Sequence, residues 1–82
     1  IMRGKLYHEY LDRGVAILEK GLRFNPDDVR LLTRLGDIYA RRKLEPARAG
    51  EMYEKAGLAG PSSRLMRLAA YEYTKSSDRD LW

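Results

Sequence analysis

The sequence predicts an all-α fold of about four helices, and three observations carry that expectation. Apolar residues recur at three- and four-residue steps along most of the chain. Val occurs only twice, and no stretch alternates apolar with polar residues over several positions, so strand signals are nearly absent. Pro26, Pro46 and Pro61 each fall at a break between periodic runs, where a helix stops or starts.

The first helix is expected over 5–24. Leu11, Val15, Leu18 and Leu22 form its stripe, with Tyr7 and Gly14 alongside. Asn25-Pro26 ends it, because a residue before proline avoids the helical region. Asp27 or Asp28 caps the second helix by accepting bonds from its free amides. Leu31, Leu32, Leu35, Ile38 and Tyr39 form its apolar face. Arg41, Arg42 and Lys43 close its last turn, where the helix dipole favours positive charge. The third helix starts at Glu45-Pro46, since proline fits the first helical position. Its stripe is Ala49, Met52, Tyr53 and Ala56, and Gly57 to Pro61 stops it. Ser62 or Ser63 caps the fourth, whose stripe is read as Leu65, Met66, Ala69, Ala70 and Tyr73. Ser76-Ser77-Asp78 is expected to end it, leaving 77–82 as a tail or a truncated helix.

Composition narrows the function classes. With 82 residues, one small domain is expected, burying ~60–65% of the surface its unfolded chain exposes. That excludes a deep, multi-lobed active site. No apolar run is long enough for a membrane span. No leader-like start is read, which favours the cytoplasm, and Ile1 reads as a cut within a longer protein. The absence of cysteine excludes disulfides and thiolate metal sites. Sixteen basic against twelve acidic residues give +4, a balance that suits acidic peptides, nucleic acid or an anionic surface.

The chain also repeats itself. Pro26 and Pro61 lie 35 residues apart. Before Pro61 come Ala56, Tyr53 and Ala49; before Pro26 come Gly21, Leu18 and Gly14, at the same offsets of five, eight and twelve. After each proline, Leu32, Leu35, Gly36 and Tyr39 match Met66, Ala69, Ala70 and Tyr73, with one residue deleted. This pattern resembles the tetratricopeptide repeat, a two-helix unit. The resemblance covers most of the chain but only one complete unit, 28–61. The segment 5–24 then stands for the second helix of a preceding unit, and 62–76 for the first helix of a following one. The turn within the complete unit carries one extra residue and has Leu44-Glu45-Pro46 where a glycine is usual.

The resemblance implies antiparallel helix pairs stacked in a short right-handed array. Gly36 and Ala49 would let paired helices approach closely, and Tyr39 and Tyr53 would fill the space between units. It also implies a concave groove, lined by the first helix of each unit, that holds a peptide. Arg30, Thr33, Arg34, Asp37 and Arg41 would face that groove, joined by Arg64, Arg67, Tyr71 and Lys75. Guanidinium forks suit carboxylates, so an acidic segment is the expected occupant. The competing reading is a solvated face with intrahelical charge pairs such as Arg30 with Asp37.

The reading is therefore a protein-binding adaptor or scaffold, not an enzyme, with no cofactor or metal. His8 is the only histidine and has no second histidine to share a metal. Glu9 with Asp12, and Glu51 with Glu54, read as water-facing pairs rather than acid/base machinery. Tyr7 and Tyr10 are expected to cover the open end of the first helix, and Leu81-Trp82 to form an apolar hook. Two alternatives stand beside the adaptor. One is self-association through exposed repeat ends as a homodimer. The other is nucleic-acid binding through an Arg/Tyr face, against which a charge of only +4 and the lack of a glycine-rich phosphate loop both count.

Overall fold

The computed structural model describes residues 2–80, with side chains from His8 to Ser77. Four helices account for nearly all of it, and no strand occurs among the described residues. They are α1 (Met2–Phe24), α2 (Val29–Asp37), α3 (Pro46–Ala59) and α4 (Ser63–Asp80), with a π-helical turn, Ile38–Arg42, continuing α2. No described helix is long and apolar enough to cross a membrane.

The helix ends follow local chemistry. Asp28 is the cap of α2: its carboxylate accepts from the amides of Arg30 and Leu31. Ser62, not Ser63, caps α4, accepting from the Leu65 amide. Pro46 opens α3 at its first turn, as the sequence leads one to expect. Asn25-Pro26 separates α1 from α2.

The link from α2 to α3 differs from expectation. The last turn of the helix is π-helical, wider than an α turn: the Lys43 amide donates to the Ile38 carbonyl and the Glu45 amide reaches the Tyr39 carbonyl. Leu44 then takes a left-handed backbone, φ 54°, which glycine would adopt without steric penalty. The end of α4 also differs. Ser76 and Ser77 do not stop it, and the helix runs on to Asp80. Serine is only a mild helix breaker, and no proline or glycine follows to enforce a stop. The expected hook, Leu81-Trp82, lies outside the described residues.

Contacts show that successive helices run antiparallel. Gly21 of α1 meets Leu31 of α2 while Asp12 meets Lys43. Gly50 and Gly57 of α3 meet Tyr73 and Met66 of α4 in reversed order. α3 lies at the centre, packed on both α2 and α4. Val15, Leu32, Leu35, Tyr39, Ala49, Tyr53, Ala56, Leu65 and Ala69 belong to one buried cluster, with Leu18, Leu22 and Val29 against its edge. At about 25 cal/mol per Å² of apolar surface, this single cluster is the main term opposing chain entropy.

Gly36 shows why the packing is close. A Cβ there would stand 2.7 Å from the Tyr53 ring, so the ring lies directly on the α2 backbone. The Tyr53 hydroxyl then donates to Asp37 (2.5 Å). Tyr39 points the other way, toward α1, with its hydroxyl 3.5 Å from Glu19.

The apolar face of α4 needs correction. Leu65 and Ala69 are buried as expected, but Met66, Ala70 and Tyr73 are exposed at the surface. The buried face is rotated to Leu65, Leu68, Ala69 and Glu72. Met66 and Tyr73 rest their inner sides on Gly57 and Gly50 of α3, and their outer sides, with Ala70, stay exposed because no described helix lies beyond α4. Tyr10, expected to cover the end of α1, projects outward instead. The side chain of Tyr7 lies outside the described residues.

Candidate protein-binding face

The nine residues predicted to bind a partner fall on two helices. Arg30, Arg34, Asp37 and Arg41 lie on the side of α2 away from Leu32 and Leu35, with Thr33 at its edge. The spacing explains this: three- and four-residue steps from Arg30 stay opposite the buried stripe. Arg64, Arg67, Tyr71 and Lys75 form a comparable strip on α4. All five of these arginines and Tyr71 are exposed; Thr33, Asp37 and Lys75 are half-buried.

The intrahelical pair of the competing reading, Arg30 with Asp37, is not among the ion pairs. Asp37 instead accepts from Tyr53 of α3. Ion pairs join Lys43 to Asp12 (2.7 Å) and Lys75 to Glu72 (3.4 Å). Arg30, Arg34, Arg41, Arg64 and Arg67 take part in neither. Their guanidinium groups are therefore committed to no carboxylate of the described chain.

Tyr71 is partly occupied. The Lys75 ammonium lies 4.9 Å from its ring centre, a cation–π contact that holds both side chains against α4. Lys75 is thereby shared between the ring and Glu72.

Glu72 is the residue the sequence reading missed. It is only 4% exposed, and its Oε1 is buried without a hydrogen bond. The signal was present in the sequence. Leu65, Leu68 and Ala69 define a helical stripe, and position 72 continues it. Glu72 acts on Tyr53 across the α3–α4 contact. Burial first, then the Asp37 hydrogen bond and the charges of Asp37 and Glu72, hold the Tyr53 hydroxyl above the usual tyrosine range; Arg41 opposes them. Tyr73 behaves similarly at the outer edge. Burial, its bond to Glu54 (2.8 Å) and the charges of Glu54 and Glu51 push it up to about 12.

A separate shallow concavity of about 340 Å³ lies on another side of the molecule. Glu19 and Leu22 of α1, Tyr39 of the π turn, and Arg48, Glu51 and Met52 of α3 line it. Arg48 sits 5.7 Å from the Tyr39 ring centre there, and Tyr39 raises its pKa through a hydrogen bond. None of the nine predicted residues lines this concavity. Among the described residues, no group of three or more His, Asp or Glu could hold a metal ion.

No protein-family model, curated protein or solved structure matches this chain.

Proposed function

We propose that this chain is a protein–protein interaction module of tetratricopeptide-like helical repeats, and that it holds an acidic segment of a partner along α2 and α4. One observation carries the reading: Arg30, Arg34 and Arg41 on α2, with Arg64 and Arg67 on α4, are exposed and form no ion pair among the described residues. Guanidinium groups bind carboxylates as planar forks, so unengaged arginines on two helices that both pack on α3 select acidic side chains or a chain terminus. The helices are already ordered, so the scaffold loses little conformational entropy on binding. Lys75 and Tyr71 supply a cationic and an apolar contact at the far end of the strip. Binding, not catalysis, is the role this arrangement supports.

The test is titration of a fluorescent poly-glutamate peptide against wild type and against Arg30→Glu/Arg34→Glu. Loss of at least about tenfold in affinity, with the helical spectrum unchanged, is the expected result. Equal binding by both proteins sinks the proposal. So does binding of a generic oligonucleotide in preference to the peptide, with a steep salt dependence.

A further inference from the structure

The helical glycines of this protein are seats. Each one near an inter-helix contact is filled by a neighbour's side chain. Leu31 fills Gly21, Tyr53 fills Gly36, Tyr73 fills Gly50 and Met66 fills Gly57. Gly14 breaks the rule. A Cβ there would meet nothing within 4 Å. Glycine inside a helix costs about 1 kcal/mol relative to alanine, so an unfilled seat has a cost and no visible return.

The surroundings of Gly14 are those of a packing face. Tyr10 (70% exposed), Ile17 (70%) and Phe24 (77%) recur at seven-residue steps on α1. Gly14 and Gly21 fall between them, giving a large–small–large–small–large stripe on one side of the helix. Arg13 and Lys20 flank that stripe, both exposed. α1 buries Val15, Leu18 and Leu22 beside this stripe, and Gly21 at its edge takes Leu31 of α2, but no described helix lies over Tyr10, Gly14, Ile17 and Phe24.

The other end of the helix order offers the complement. On α4, Ala70 and the outer sides of Met66 and Tyr73, whose inner sides fill Gly57 and Gly50, form a partly uncovered i, i+4, i+7 edge. Their equivalents in the internal repeat, Leu32, Gly36 and Tyr39, are all buried. Leu58 of α3 stands 68% exposed next to Gly57, the seat of Met66. Here the flanking charges on the α3 side are acidic: Glu54 accepts from the Tyr73 hydroxyl, and Glu51 also acts on that hydroxyl. The α1 face is thus bordered by Arg13 and Lys20, with Glu9 beside Arg13, and the α4 edge by Glu51 and Glu54 on the α3 side and Arg67 on the other.

We infer that the chain associates head to tail with a second copy, the α4 edge of one protomer docking on the Gly14 face of α1 of the next. Arg13 and Lys20 of one copy meet Glu51 and Glu54 of the other. The internal repeat favours this pairing over a symmetric one. α1 is the equivalent of α3, and α4 the equivalent of α2, so the new contact reproduces the α2–α3 pair already in the fold. A symmetric α1–α1 contact would set Arg13 and Lys20 against the same cations of the partner, because both flank the same side of the stripe. A heterologous contact of this kind does not close on itself and extends with concentration. The inference rests on the two ends of the helix order and is independent of the arginine face.

Two variants test it. Gly14→Glu blocks the α1 face with bulk and a charge that repels Glu51 and Glu54. Ala70→Lys blocks the α4 edge and repels Arg13 and Lys20. Both positions are solvent-accessible, and circular dichroism checks that each variant keeps its helices. In sedimentation velocity over about a hundredfold range of concentration, the wild type should shift progressively to larger species. Each variant alone should stay monomeric, and their equimolar mixture should stop at a one-to-one dimer. A wild type that stays monomeric throughout overturns the inference. If Ala70→Lys alone still dimerises, the contact is α1 with α1; if Gly14→Glu alone does, it is α4 with α4. Either outcome also overturns it.

Discussion

Helices α1 and α3 carry the same pattern and live in different surroundings. Gly14, Leu18 and Gly21 of α1 stand at the same offsets from a proline as Ala49, Tyr53 and Ala56 of α3. In α3 those residues are 0%, 2% and 0% exposed. In α1 all three are half-buried. The difference is the number of neighbours. α3 lies between α2 and α4, whereas α1 packs on α2 and the π turn. A repeat pattern says which side chains point along which direction. Burial, and hence energy, depends on whether a helix stands there to receive them.

The largest effect should come from emptying the two equivalent large positions. Tyr53→Ala removes a buried ring, its bond to Asp37 and the filling of Gly36, and should cost about 4 kcal/mol in urea denaturation. Leu18→Ala on half-buried α1 should cost about 1–1.5 kcal/mol. Equal losses would mean that α1 is as firmly held as α3, and the contrast would fail.

Next come the two glycines. Gly36→Ala drives a methyl into a ring that Asp37 holds in place, and should destabilise by about 2 kcal/mol. Gly14→Ala meets open space and should stabilise by about 0.5–1 kcal/mol, because alanine suits a helix interior better. The opposite signs in thermal melts would establish one seat as filled and the other as vacant within a protomer.

The smallest effect concerns how α1 is tethered. Its Asp12 pairs with Lys43 just beyond the π turn. The Lys43 hydrogen bond, then its charge, hold the Asp12 carboxyl below the usual carboxylate range. Asp12 raises the Lys43 pKa in return, through the same hydrogen bond first. Because the folded-state pKa of Asp12 is lowered, its contribution is present above the unfolded value near 4 and fades as pH falls through the folded one. The pair is solvent-exposed, so the contribution is small. A Lys43→Met variant should be slightly less stable than wild type at neutral pH and should match it at strong acid. A gap that persists in strong acid would show that Lys43 acts through packing rather than through Asp12.

The sequence alone determined the helical class, the caps and the breaks marked by proline, though not the end of α4. Those depend on neighbours within a few residues: Asp28 on the amides of Arg30 and Leu31, Ser62 on that of Leu65, Pro46 on its own ring. It also placed the arginines of α2 and α4 on exposed faces, because helical periodicity sets them opposite the leucines. Tertiary structure decided the rest. Which half of the α4 pattern is buried depended on α3 covering one side only, which took Glu72 inward and left Met66, Ala70 and Tyr73 outside. Asp37 was a free acid in sequence and became the acceptor of Tyr53, sixteen residues along the chain, once the ring settled on Gly36. The π turn at Ile38–Arg42 was not legible either, since nothing in the local sequence marks a widened turn over an α turn. Short-range hydrogen bonding is written in adjacent residues. Burial is a property of pairs of surfaces, and one chain segment cannot specify the surface that meets it.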